Sequence, residues 1–373
     1  MDKIAIFISR YPINSSLSIL NFLEILSIKY KIDLYLYKVF DNAESLKNNS
    51  IFEDKNIKVI FVDKRIRLFF LKFKFLFKKF RKPAYKNFVC FDPFGFVLCK
   101  EFFPKSKPYY YSLELYIKHD HFGLYYPKNI MEKERKFIKD IKGFIIQSEE
   151  KEILFRNDYE ISNLTPSMIV PVTHSGEFDS SKYYIIKDKY KISKNKKIAL
   201  HLGGISEWFS CIDLAICFSK IENWVLFFQG YPDKNYKCKF EEVLNKNNIK
   251  NVIISNETYD LIEDVNPILK SSDIGIAWYN DISIGFRTAG LSSGKISSYI
   301  RFGLPILAKK YPSTSKAIEE TGCGICINNI EEIPNAIRKI ENKYEEFVVN
   351  EQKEFYKNYH IENYKNKLIK FVT

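Results

Sequence analysis

One pattern constrains this chain more than any other. Short apolar runs rich in Ile, Val, Phe and Tyr alternate with stretches in which apolar residues recur at helical spacing. Strands buried on both faces read as continuous apolar runs, so the alternation predicts βαβ units and parallel sheets. In the first half it predicts strands at Lys3–Ile8, Ile32–Tyr37, Ile57–Val62, Asn87–Phe91, Tyr109–Leu113, Gly143–Gln147 and Met168–Val172. Ser16–Lys29 opens with hydroxyls and carries a narrow polar stripe at Asn21, Glu24 and Ser27, which predicts a helix buried on most sides. The polar stretch Ser175–Lys197 interrupts the series. A second series then predicts strands at Lys197–Leu202, Trp224–Phe228, Asn251–Ile254, Asp273–Ala277, Leu304–Ala308 and Gly324–Ile327, with charged amphipathic helices from Ile330 onward.

At roughly 150 residues per domain, 373 residues fit two doubly wound α/β domains. The expected division is 1–178 and 179–357, with a last helix at 358–373 packing back on the first domain. Ligands of such folds sit at the carboxyl ends of the strands, so two facing domains imply a cleft. Asp2 and the short apolar stretch after it do not make a signal peptide, and no run approaches the ~18–20 apolar residues of a membrane span. The seven cysteines lack a framework spacing, and Cys323-Gly-Ile-Cys326 reads as small buried side chains. A reduced, cytoplasmic protein is the expectation.

The densest cluster of motifs lies in Asp273–Asn328, which contains SSDIGIAWYN, GLSSGKISSYIRFGLPILAKK and ETGCGICINN. Leu291–Gly294 is a small, flexible loop opening a helix near Lys295. Free amides at that start, with Ser292, Ser293 and the Lys295 ammonium, suit a phosphate. An ordinary βα turn with a solvated lysine fits the same spacing.

The second half resembles the donor domain of GT-B glycosyltransferases, especially the bacterial group acting in surface-polysaccharide and lipopolysaccharide assembly. The shared pattern is S-x-K-x-x-x-Y-x-x-x-G-x-P-[VI], here Ser293, Lys295, Tyr299, Gly303, Pro305 and Ile306, preceded by the strand Ser272–Tyr279 and followed by the turn Gly322–Ile325. His201–Trp208 (HLGGISEW) resembles the family's first donor-domain strand with its glycine loop, and Phe227–Tyr231 resembles a later glycine element. The resemblance implies a GT-B fold and a nucleotide-sugar donor. It places His201, Gly203, Gly204, Ser292, Ser293, Gly294, Lys295 and Ser298 around the donor, with Tyr259 near the nucleobase. Departures accompany it: a glutamate pair widespread in the family falls on Gly290 and Ser298, and two family cations fall on Gly204 and Phe209. Neutralising a diphosphate then falls to Lys295, Arg287 and backbone amides.

The resemblance also makes Glu114, just past a strand end, the candidate for the acceptor hydroxyl, with His119 beside it; a carboxylate paired to a nearby lysine is the competing reading of Glu114. The chain has no D-x-D, G-x-G-x-x-G or GxxxxGK[ST]. Neither metal nor cofactor is expected, because this type stabilises its leaving diphosphate with cations and helix dipoles.

Charge supplies the last motif. There are 58 basic and 45 acidic residues, a formal +13, and Lys64–Lys82 alone holds nine cations and six phenylalanines without an acid. Phe69, Phe73 and Phe77 recur at helical spacing, with Arg67, Lys74, Lys78 and Arg81 on the other side. This basic amphipathic pattern suits an anionic membrane surface, at ~1 kcal/mol per cation. A Phe face packed on its own domain is the alternative. Nucleic acid is not expected, since no recognition motif accompanies the charge. The expected function is sugar transfer from a nucleotide-sugar to a saccharide acceptor, lipid-linked and presented at the inner face of a bacterial membrane, in cell-surface glycan synthesis. A GT-B nucleotide-sugar epimerase and a non-catalytic GT-B-like subunit remain as alternatives.

Overall fold

The computed structural model describes residues 1–8, 13–37, 46, 49–63, 85–118, 120, 127–259 and 261–373. The basic segment Lys64–Lys82, with Arg67, Phe69, Phe73, Lys74, Phe77, Lys78 and Arg81, lies outside the described residues, as does His119.

The chain divides into two compact units, Met1–Pro171 with Ile361–Thr373, and Val172–His360. All thirteen expected strands form. In the first unit these are β1 (Lys3–Ile8), β2 (Lys31–Tyr37), β3 (Ile57–Val62), β4 (Asn87–Phe91), β5 (Tyr109–Tyr111), β6 (Gly143–Ile146) and β7 (Ser167–Ile169). They pair in parallel in the order β3-β2-β1-β4-β5-β6-β7. The second unit contains β8 (Lys197–Leu202), β9 (Trp224–Gln229), β10 (Val252–Ile254), β11 (Ile274–Ala277), β12 (Ile306–Lys309) and β13 (Gly324–Ile327), paired in parallel as β10-β9-β8-β11-β12-β13. Winding direction reverses between β1 and β4, and again between β8 and β11. Those two places are where a doubly wound sheet opens a crevice at its carboxyl edge.

The continuous apolar runs do become strands buried on both faces, with β4 and β9 buried along their whole lengths. The helix Leu17–Ser27 packs Ile19, Phe22, Leu23 and Leu26 into the first core. Its polar stripe is narrower than the sequence suggests. Only Glu24 is exposed, while Asn21 and Ser27 are buried and Ser27 Oγ donates to the Glu24 carbonyl.

The last helix, Glu362–Val372, belongs to the first unit: Leu368 and Val372 join its core and Asn87 Nδ2 donates to the Val372 carbonyl at 2.6 Å. The crossing points fall at 171/172 and 360/361 rather than at 178/179 and 357/358. The cause is long-range bonding: the Val172 amide donates to the Leu291 carbonyl, and His174 forms a parallel bridge with His360. Among the described residues no helix is long and apolar enough to cross a membrane.

Candidate active site

The site is built where β8 ends in the second unit. Gly203 follows that strand with φ +108, a backbone region that a side chain disfavours. Its amide donates to the Gln229 carbonyl at 2.9 Å. From the neighbouring strand end Gly230 comes so close that a Cβ there would overlap the Gly203 carbonyl, so the two turns stack backbone on backbone. Gly204 is needed for a different neighbour, since a Cβ would lie 2.8 Å from the Phe209 ring.

His201 is fully buried under this loop, with Nε2 2.9 Å from the Gly204 carbonyl and its ring against Phe209 and Phe228. Burial, helped by the nearby Lys295 charge, holds its pKa well below the usual range. The imidazole is therefore neutral and supports the loop.

The helix Gly294–Arg301 brings the cation. Ser293 caps it, accepting the Ile296 amide at 3.3 Å, and also bonds the Tyr279 hydroxyl. Lys295 and Tyr299 stand four residues apart and so share one face of the helix. The Tyr299 hydroxyl donates to the Leu200 carbonyl at 2.9 Å and accepts the Leu202 amide at 3.0 Å, pinning the helix to β8. One turn nearer the helix start, Lys295 thereby reaches the glycine loop: a Cβ on Gly203 would lie 3.9 Å from its Nζ.

The Lys295 Nζ has no solvent contact and no hydrogen-bond partner among the described residues. It sits 4.4 Å from the Phe209 ring centroid and 5.1 Å from that of Tyr279. Burial pushes its pKa down to about 8, with the Cys211 thiol acting weakly the other way. Aromatic faces return about 0.5–2 kcal/mol to a cation, while an unpaired buried charge costs several. His201 Nδ1, Ser206 Oγ and Gln229 Oε1, around the same loop, are likewise buried without a partner. Loop amides, a capped helix start open around Gly294, and an unpaired ammonium are together suited to a diphosphate.

The remaining expected donor residues are held by bonds of their own. Ser292 Oγ donates to the Thr288 carbonyl at 3.2 Å. Ser298 is buried with Oγ 3.2 Å from His174 Nε2. Arg287 is exposed and paired to Asp281 at 2.7 Å. The Tyr259 hydroxyl donates to Glu257 at 2.9 Å, and its carbonyl accepts from Tyr231. Gly290, one position of the family's glutamate pair, packs so tightly on Ser313 that a Cβ would overlap the Ser313 carbonyl.

In the first unit Glu114 follows β5 and is exposed, with Lys151 the charge that favours its ionised form. The sequence reading missed the aromatic pair Phe209 and Tyr279, and also Asp92 and Lys151 near Glu114. The one available signal was Phe209, already conspicuous as an aromatic at a cationic position. Cys323 and Cys326 are buried free thiols, and no metal-binding cluster occurs among the described residues.

Comparison with solved structures gives three likenesses of high coverage. HepE of Anabaena, solved with UDP and glucose, superposes at TM-score 0.74 with 10% identity, over 99% of this chain and 99% of that one. Sucrose-phosphate synthase of Thermosynechococcus elongatus gives TM-score 0.71 and 10% identity over 99% and 97%. A glycosyltransferase of Rickettsia africae gives 0.68 and 14% over 99% and 97%. The fold is GT-B. Within this GT-B chain, residues 234–369 match the family model of the glucosyltransferase 3-like C-terminal domain, so the cation-bearing helix lies inside the matched segment. No curated protein matches in sequence. Fold and domain match together support the expectation of a glycosyltransferase.

Proposed function

We propose that this GT-B protein is a glycosyltransferase that takes its sugar from a uridine diphosphate sugar. The observation carrying the reading is the Lys295 ammonium, buried against the glycine loop with no hydrogen-bond partner among the described residues. As the bond to the anomeric carbon breaks, negative charge grows on the leaving diphosphate. Lys295 and the amides of the loop and helix start are pre-placed to stabilise that charge without a metal. UDP is the first nucleotide to test, because HepE is solved with it.

The acceptor of this reading is a saccharide, lipid-linked and held at the cytoplasmic face of an anionic membrane, in bacterial surface-glycan synthesis. Its support is the nine-cation, Phe-rich stretch Lys64–Lys82. The decisive assay incubates the protein with a panel of nucleotide sugars, with and without saccharide acceptors. Acceptor-dependent release of nucleoside diphosphate is expected. Epimerised sugar without an acceptor would favour an epimerase, and absence of turnover with every donor would sink the transferase reading.

A further inference from the structure

The ammonium that the donor reading needs is covered. Lys295 Nζ is buried from solvent, whereas a phosphate oxygen must come to about 2.7–2.9 Å to bond it. One of the groups around it therefore has to move before an anion can arrive. Its walls are unequal. The helix carrying Lys295 is pinned to β8 by the Tyr299 hydroxyl, and Tyr279 is 5% exposed with its own hydroxyl bonded to Ser293. Phe209 is the half-buried wall, its ring centroid 4.4 Å from the ammonium. Gly204 leaves the space in which that ring lies on the glycine loop.

Phe209 belongs to a short segment, Ser206–Ser210, strung between two fixed points. On one side Ile205 is fully buried and forms a parallel bridge with Pro232. On the other, Cys211 is fully buried and opens the helix Cys211–Phe218. Asn280, three residues past β11, clasps the stretch between them. Its amide donates to the Trp208 carbonyl at 2.9 Å, its Nδ2 donates to the Glu207 carbonyl at 2.7 Å, and Ser210 Oγ donates to its Oδ1 at 3.0 Å. Ser210 holds φ +47, a left-handed conformation that costs a non-glycine residue about 1–3 kcal/mol and persists only where its surroundings enforce it. The clasp thus keeps the segment shut against two costs, the strain at Ser210 and the Lys295 charge withheld from water.

We infer that Ser206–Ser210 is a lid over the donor site, with the Phe209 ring as its inner face and Asn280 as the positioning residue that keeps it closed, so that a nucleoside diphosphate reaches Lys295 only after the lid has swung away. The identity of the ligand rests on the donor reading; the lid does not. The closed state offers no ammonium to an anion, so apparent affinity is the intrinsic affinity scaled by the fraction of open molecules. Loosening the clasp consequently strengthens binding. An Asn280 that only supported the fold would give the opposite sign.

The test uses the full-length protein and two readouts. The first is acetylation of Lys295 by a small amine-reactive ester at pH 8, followed by mass spectrometry and normalised to the exposed Lys239. N280A removes both side-chain bonds of the clasp and is expected to speed Lys295 acetylation about tenfold, the population change that the loss of one to two hydrogen bonds produces. S210A removes one of them and should give about threefold, so the test stands even where N280A does not fold. The second readout is UDP binding, followed by the fluorescence of Trp208 in the segment itself. Its observed association rate should level off with rising UDP at the rate of lid opening, and affinity should rise from wild type to S210A to N280A. Unchanged acetylation in both variants, or faster acetylation with weaker UDP binding in S210A, overturns the lid while leaving the donor reading intact. Absence of UDP binding by the wild type, with acetylation still following the clasp, defeats the donor reading and leaves the lid standing.

Discussion

An ammonium buried without a partner opposes folding, and among the described residues Lys295 is in that position. The prediction is a trade between stability and function. Lys295→Met should weaken UDP binding at least tenfold at pH 7 and raise the melting temperature of the unliganded protein by roughly 2–4 °C, the shift that ~1 kcal/mol produces in a domain of this size. A lower melting temperature would refute the unpaired-charge assignment. Because its pKa is depressed to about 8, the lysine loses its charge as pH rises past that value, so UDP affinity should decline between pH 7 and 9. Glu134 gives the opposite kind of signal. It is buried under the Tyr110 and Tyr159 hydroxyls, and burial raises its pKa to about 7. Between pH 4.5 and 7 the unfolded chain ionises this carboxyl while the native one keeps its proton, so stability falls as pH rises. The loss is worth roughly 3 kcal/mol at ~1.4 kcal/mol per pH unit. Urea midpoints should show that slope, and E134Q should flatten it. Lys295, Ser293 and the glycines were legible in the sequence because they sit in short local patterns. The cage of Phe209 and Tyr279 was not, because only the folded sheet brings three distant segments together.

The helix Gly294–Arg301 shows why its motif has the spacing it has. Tyr299 fastens it to β8, Lys295 stands one turn closer to the loop, and Ser293 starts it. Tyr299→Phe deletes a hydroxyl bonded to two backbone groups of β8 and should cost about 1–3 kcal/mol, with weaker UDP binding as a consequence. Ser293→Ala should cost ~1 kcal/mol as a lost cap. Restoring the family's glutamate by Gly290→Glu should unfold the second unit rather than improve donor binding, since Ser313 occupies the space. Soluble, UDP-binding G290E would contradict that packing. Strand positions were readable because continuous Ile, Val and Phe runs have few alternatives to a buried strand. Strand ends were less so: the Leu113 amide turns to Asp92 instead of continuing β5, a side-chain choice that periodicity does not encode.

At the scale of the whole molecule, two parallel sheets each reverse their winding at the first strand, and the Lys295 site lies at the end of β8, beside the reversal in the second sheet. The two-unit plan followed from length and from the polar break after Ser175. The crossing points did not, because the Val172 and His174 contacts that fix them are made with residues far along the chain. The excess charge makes a separate prediction. Binding to vesicles containing anionic lipid should fall sharply when Lys72, Lys74, Lys78 and Lys79 become Glu, and undiminished flotation would contradict a membrane role for that segment. The central claim is that the Lys295 site holds a nucleoside diphosphate. The most direct test is calorimetric titration of UDP into wild-type and Lys295→Met protein at pH 7. The account predicts saturable one-site binding that weakens at least tenfold in the variant; no binding to the wild type, or equal affinity in both proteins, would contradict it.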